Sequence, residues 1–281
     1  MLVAGFLFGC MGVFVKLGAQ YFSDMELVFY RSFLGLLLVY ALIRRQSGSL
    51  ATPHLVRHLW RGISGTLALM LFFYCITVLP LAAAVTLNYT SPLFLTLLVV
   101  LVFRERFHAP LALAIALGFA GVVLVLHPTL EHDQFMPGLL GLVSGFLAGI
   151  AMLNVRQLGI MGEPEWRVVF YFSLMASSAS GSIMLFGDLH PITLHNLPIL
   201  LGLGGSATLA QLALTRAYRT GHALVASSLS YSTVVFASLF GALLWGDALP
   251  WSGWAGIALI IAGGVLSLKL SAKQFKKEEI S

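Results

Sequence analysis

Charge is scarce in this sequence. Only 10% of its 281 residues are Asp, Glu, Lys or Arg, 59% are hydrophobic, and the mean hydropathy is +0.94. A water-soluble domain carries roughly a quarter charged residues, so this composition excludes an ordinary soluble fold. Cysteine is nearly absent as well. Cys10 and Cys75 both fall in apolar stretches, which argues against a disulfide framework and leaves them as small packing residues. Acids are missing from the apolar stretches: Asp24, Glu26, Glu131, Asp133, Asp188, Asp247, Glu105, Glu163, Glu165, Glu278 and Glu279 all map to connections or the tail. No His, Cys or carboxylate cluster has metal-ligand spacing. No Ser has a His or Asp at matching depth for nucleophilic catalysis, and no glycine loop precedes a Lys-Ser or Lys-Thr pair. The sequence therefore offers no catalytic residue, no metal site and no cofactor site, and it reads as a non-enzyme.

What the chain does have is ten apolar runs, each near the roughly 20 residues that cross a bilayer as a helix. They are Leu2–Leu17, Leu27–Ile43, Trp60–Leu79, Leu81–Phe103, Pro110–Leu126, Gly138–Val155, Val168–Phe186, Leu197–Ala217, Ala223–Trp245 and Trp251–Leu270. The first lacks a basic leader and a small-residue cleavage site, so it reads as a retained helix rather than a signal peptide. Threading the runs across a membrane puts 14 of the 16 Lys and Arg on one side. Cytoplasmic loops retain such residues, which sets both termini in the cytoplasm. The net charge of +5 is thereby explained by topology and needs no nucleic acid. All five Trp fall near expected interfaces, as in aromatic belts.

The runs repeat. Ile115-Ala-Leu-Gly-Phe-Ala-Gly-Val-Val-Leu124 returns 142 residues later as Ile257-Ala-Leu-Ile-Ile-Ala-Gly-Gly-Val-Leu266, identical at seven of ten positions. Leu2–Gly9 is echoed by Leu142–Gly149, Val28–Ser32 by Val169–Ser173, and Ser64–Ala68 by Ser206–Ala210. Such self-similarity marks an internal repeat. Five crossings per copy is an odd number, so the second copy enters from the opposite side. The expected fold is all-α: ten transmembrane helices in two inverted five-helix repeats, residues 1–130 and 131–281. Secondary transporters use that arrangement around a midplane site.

A polar patch repeats inside the apolar runs. Ala84-Val-Thr-Leu-Asn-Tyr-Thr-Ser-Pro-Leu-Phe94, broken at Pro92, pairs with Ala226-Ser-Ser-Leu-Ser-Tyr-Ser-Thr-Val-Val-Phe236. Hydroxyls and amides at that depth have to face protein or water. Candidate solute contacts are Tyr74, Tyr89 and Tyr231 for stacking or hydrogen bonding, and Asn88, Gln211, Ser227 and Ser230 as directional partners. Each could equally serve an interhelical hydrogen bond. Thr66, Met70, Tyr74 and Thr77 share one face of the third run. Only Lys16 and Arg31 lie outside the cytoplasmic set. The plain expectation is that Lys16 snorkels to the outer surface and Arg31 pairs with Asp24 or Glu26. The sharper one is that either meets an anionic group, such as a carboxylate, at the outer mouth of a pathway. His54 and His58 read as solvated loop residues.

The fourth run with its Pro92 and terminal Glu105, its echo ending at Asp247, and the Ala-Gly-x-Val-Leu signatures resemble the drug/metabolite transporter superfamily over essentially the whole chain, EamA-type exporters in particular. The chain is further similar to the YddG-type amino-acid exporters of bacterial inner membranes. That resemblance implies efflux of aromatic and other apolar amino acids, with helices 1–4 and 6–9 around a central cavity and helices 5 and 10 set back. The small multidrug-resistance members rely on a carboxylate in their first helix. This chain has none there, which disfavours cationic drug antiport. The expected function is a secondary transporter exporting amino acids or related small metabolites across the inner membrane by alternating access, without built-in carboxylate proton coupling. Another exporter of drugs or metabolites, or an intramembrane enzyme, are the alternatives. The expected partners are a small-molecule substrate and membrane lipid, with no nucleic acid and a monomeric state.

Overall fold

The computed structural model describes residues 1–45, 49–103, 113–114, 116–121, 123–124, 134–187, 189–220, 226, 229–246 and 250–278. Among the described residues there are ten helices and no strand: α1 (Leu2–Gly18), α2 (Asp24–Arg45), α3 (Leu55–Val78), α4 (Leu81–Asn88), α5 (Ser91–Phe103), α6 (Phe135–Ile160), α7 (Glu165–Met184), α8 (Leu197–Thr220), α9 (Ser232–Trp245) and α10 (Trp251–Glu278). The described residues of the fifth run are helical too. Four stretches, Asp24–Arg45, Leu55–Val78, Phe135–Ile160 and Leu197–Arg219, are long and apolar enough to cross a membrane, and four shorter apolar helices accompany them. Helix is forced on such a chain because lipid supplies no hydrogen bonds to a bare backbone. Mid-helix residues such as Leu37, Leu67 and Leu209 are exposed, whereas Ser and Thr are buried, the reverse of a protein built for water.

The fourth run is two helices. The ring of Pro92 excludes the carbonyl four residues back, that of Asn88, so α4 stops there and α5 restarts at Ser91. Proline is tolerated in that new first turn. Thr90 Oγ1 donates to the Leu87 carbonyl at 2.6 Å and secures the break. In the second half the turn falls at Tyr231, just before α9. The third helix also differs from expectation. It starts at Leu55 rather than Trp60, which draws His58 into the bundle and sets Arg61 deeper in the helix.

The halves interlock. Contacts run chiefly from α3 to α6 and from α1 to α8, from α2 to α7, from α2 to α8 and from α3 to α7, and from α1 to α9 and from α4 and α5 to α6. Glycines permit the closest of these approaches. A methyl on Gly5 would strike Ser232 Oγ, and one on Gly145 would strike Thr90 Oγ1. A Cβ on Gly9 would lie 3.1 Å from Phe236 Cβ, and one on Gly149 would lie 3.2 Å from Phe94 Cβ. Phe6 meets Phe236 edge-on at 5.4 Å, as Phe146 meets Phe94. A Cβ on Gly121 would lie 2.6 Å from the Gly256 carbonyl oxygen, and one on Gly263 would lie 2.7 Å from that of Ala114.

Two polar clusters tie the halves at opposite ends of the bundle. At the end where α2 stops, the Thr52 hydroxyl donates to Glu163, Arg167 donates to Glu163 at 2.8 Å and to the Ser49 carbonyl at 2.7 Å, and Tyr171 donates to the Leu50 carbonyl at 2.9 Å. His58 is buried there rather than solvated. Its ring lies 4.6 Å from that of Tyr171, and its Nε2 is 3.6 Å from Glu163. At the other end Glu26 accepts from the His190 backbone N–H and approaches His190 Nδ1, both at 2.8 Å, and Tyr21 meets His195 at 3.1 Å. Burial raises the Glu163 carboxyl, but the hydrogen bonds from Thr52 and Arg167 and the charges of Arg167 and His58 outweigh it and hold the group below its ordinary 4.5.

Two predictions follow from this packing. Gly121→Ala and Gly263→Ala should each lower the melting temperature in detergent, by the equivalent of about 1–3 kcal/mol for overpacking. Gly205→Ala, with open space around it, should not. Because the carboxyl of Glu163 titrates below its unfolded value, its ionic contribution is complete above pH 4.5 and disappears as the pH falls through the lowered value. Glu163→Gln should therefore cost about 1–3 kcal/mol at neutral pH and progressively less in acid, read as melting temperature against pH.

Candidate functional site

Many of the buried hydroxyls are already satisfied by their own helices. Ser64, Thr86, Ser180, Thr208, Thr215 and Ser238 each donate to the carbonyl four residues back, at 2.5–2.8 Å. This is the usual way a hydroxyl is accommodated in a helix without water. The hydroxyls of the bundle are thus mainly structural, and a solute site has to be sought among the groups that lack such partners.

Four of them, on Arg31, Arg61, Gln211 and Thr233, line one cavity of about 100 Å³ between the halves. It is lined by residues of α1 to α9 and by Tyr89 and Ser230, and by none of the described residues of the fifth run or of α10. Two of its walls are the guanidinium groups of Arg31 and Arg61. Arg31 comes from α2, about 10 Å from the end at Asp24. Arg61 comes from α3, about 9 Å from the end at Leu55. They are 4% and 3% exposed, and their guanidinium carbons lie 5.2 and 4.1 Å from the centre of the same Phe172 ring. Gly65 gives Arg61 its place, since a methyl there would collide with Arg61 Nη1 and lie 3.1 Å from the Phe172 ring.

Neither arginine has an acid beside it among the described residues. Arg31 Nε, Arg61 Nε and Arg61 Nη1 are buried with no hydrogen-bond partner, and no Asp, Glu or His is among the described cavity-lining residues. The expected pairing of Arg31 with Asp24 or Glu26 is therefore overturned. Glu26 is engaged by Ser23 and His190, and Asp24 by the Met25 backbone N–H at 3.0 Å. A desolvated cation–π contact returns about 2 kcal/mol. An uncompensated buried ion costs several kcal/mol, so stacking on Phe172 does not by itself account for two of them. The arrangement is suited to receiving negative charge from a solute.

Other donors and acceptors face the same space. Gln211 Nε2 is buried without a partner. Asn88 spends its amide N–H on Ser144 Oγ at 2.5 Å, which leaves its carbonyl oxygen as an acceptor at the lining. Phe8, Met11, Leu69, Phe72 and Leu95 supply apolar walls.

Of the residues singled out from the sequence, the structure brings Arg31, Asn88, Tyr89, Gln211 and Ser230 together around this cavity. Tyr74 packs against the core instead, because α3 turns Arg61, Gly65, Ala68, Leu69 and Phe72 inward rather than the face with Thr66 and Thr77. Tyr231 is buried with its hydroxyl against Gly264 of α10. Lys16 Nζ lies 4.8 Å from the centre of the Trp245 ring, away from the cavity. Ser227 lies outside the described residues. Arg61 is the functional candidate that sequence reasoning misses, because it was counted with the cytoplasmic cations. Its signal is the helical spacing Arg61-Gly65-Leu69-Phe72, one cation on an otherwise small and apolar stripe.

Comparison with known proteins agrees with this architecture. The EamA-like transporter family matches residues 1–127 and 136–269. The chain is 31% identical over 264 residues to the pseudopaline exporter CntI of Pseudomonas aeruginosa, covering 94% of this chain and 90% of that protein. It is 30% identical to an uncharacterized transporter of Helicobacter pylori, covering 99% and 96% of the two chains. It is 24% identical to a riboflavin transporter of Vibrio cholerae, covering 99% and 94%. One crystal structure shares the fold at a TM-score of 0.70 and 18% identity, covering 96% of this chain and 97% of its own. With matches across both halves and apolar helices throughout, this chain is a multi-pass membrane protein that belongs to the EamA-like transporter family.

Proposed function

We propose that the chain is a secondary transporter that exports amino acids, aromatic and other apolar ones included, or related small metabolites across the bacterial inner membrane. The observation that carries this reading is the cavity itself. It lies between the halves and combines apolar walls with guanidinium nitrogens of Arg31 and Arg61 and the Gln211 amide nitrogen, which have no hydrogen-bond partner among the described residues. An amino acid offers the complement, a carboxylate beside an apolar side chain.

Residues 1–130 and 131–281 act in this reading as inverted repeats that rock about the cavity, with both termini in the cytoplasm. The helix pairing supports it, since exchanging the halves turns the contacts α3–α6, α2–α8 and α1–α9 into α8–α1, α7–α3 and α6 with α4 and α5, all of which are present. The glycine contacts obey the same exchange, Gly5 on Ser232 against Gly145 on Thr90 and Gly121 on Gly256 against Gly263 on Ala114. The clusters around Glu163 and Glu26 sit where gates belong, one at each end. Alternating access then amounts to releasing one cluster while the other holds.

No acid or histidine lines the described part of the cavity, so flux should follow the solute's own gradient. Uptake of radiolabelled amino acids into proteoliposomes containing the purified chain should be saturable and indifferent to an imposed pH gradient. Flux that appears only with the gradient would contradict the uncoupled mechanism. Absence of flux for every amino acid, with folded protein in the vesicles, would sink the amino-acid reading.

A further inference from the structure

We propose that Arg31 and Arg61 form a two-point anion site and that the solute accepted there carries two separated carboxylates together with one N–H group, the chemistry of an amino dicarboxylate. The inference rests on the transporter reading and narrows its substrate. Two guanidinium groups reach one cavity from helices α2 and α3, and both stand against the Phe172 ring. Each is permanently charged, and each presents a planar fork matched to a carboxylate. A solute with a single carboxylate would satisfy one fork and leave the other buried and unmatched. The remaining groups complete the pattern. Gln211 Nε2 adds a spare donor, and the Asn88 side-chain oxygen Oδ1, on an amide whose nitrogen is anchored by donating to Ser144, is an acceptor for an ammonium or amine N–H. With no acid among the described lining residues, the cavity carries two uncompensated guanidinium charges, and a solute with two carboxylates sets one against each.

L-Glutamate and L-glutamine separate the cases cleanly, because they are matched in shape and differ in one carboxylate. Titration calorimetry on the full chain in detergent is expected to show glutamate binding at least about tenfold more tightly than glutamine, the scale of one charge-assisted pair. Arg31→Gln and Arg61→Gln should each bring that ratio close to one, and Arg61→Lys should restore part of it. Melting temperatures of both glutamine variants should equal or exceed that of the parent, since each removes an unpaired buried charge; this distinguishes a lost site from a lost fold. Equal binding of glutamate and glutamine, no saturable glutamate binding, or a preference that survives both substitutions would overturn the two-point site. Tighter binding of glycerol 3-phosphate than of glutamate would overturn the assignment to carboxylates. Glutamate binding without flux in proteoliposomes would leave the site standing and remove the transporter reading, whereas amino-acid flux without a glutamate preference would do the opposite.

Discussion

A hydrocarbon surround offers no water to a polar atom, so each donor and acceptor in a spanning helix has to find its partner within the protein. This constraint accounts for most of what the structure shows. It makes the chain helical, turns Leu and Val outward, and bends the hydroxyls of Thr86, Ser180, Thr208 and Ser238 back onto their own carbonyls. It also makes the exceptions conspicuous. Arg31 and Arg61 carry full charge into the bundle, stand beside one aromatic ring, and have no acid near them among the described residues. A folded protein has every physical reason to pair or discard such groups, and their retention at one cavity is the reason to read that cavity as a solute site.

The same constraint shapes how the halves meet. Helices in lipid gain little from apolar burial against one another, so association depends on close packing, and glycine is the residue that permits it. Gly5, Gly9, Gly145 and Gly149 let α1 and α6 lie directly on the broken helices of the opposite half. The breaks at Tyr89–Thr90 and at Tyr231 sit beside the cavity, where polar backbone at membrane depth is tolerated. Contacts of acids with basic side chains are kept for the two ends, Glu163 with Arg167 at one and Glu26 with His190 at the other. A rigid, greasy middle with polar closures at its ends is the mechanical form that the proposed alternating access requires.

The helical, membrane-spanning character was legible because composition and run length depend on local chemistry alone. The polar patch around Asn88 and Tyr89 was legible for the same reason, since Pro92 disrupts the carbonyl of Asn88 four residues earlier whatever the rest of the chain does. Arg31 stood out as a cation within an apolar run. Its surroundings were not legible. Glu26, the near acid, is held by His190, 164 residues away, a contact no local pattern announces. Arg61 was hidden by its place in the second residue of the expected third run, where it counted as a cytoplasmic-end cation; with α3 starting at Leu55 it lies about 9 Å inside the helix, in the cavity wall. Tyr74 and Tyr231 show the limit of reading residue type without direction. Both are aromatic residues of apolar runs, yet the rotation of α3 and the close approach of α10 at Gly264 turn them to packing.

The central claim is that the arginine-lined cavity is a compartment reached alternately from the two faces of the membrane. Ser91 lines it and is buried. A Ser91→Cys variant, with Cys10 and Cys75 replaced, would be treated with a membrane-impermeant maleimide in right-side-out and in inside-out sealed vesicles. The account predicts labelling in both orientations, slowed in each by transported solute. Labelling from one face only, or from neither, would contradict it.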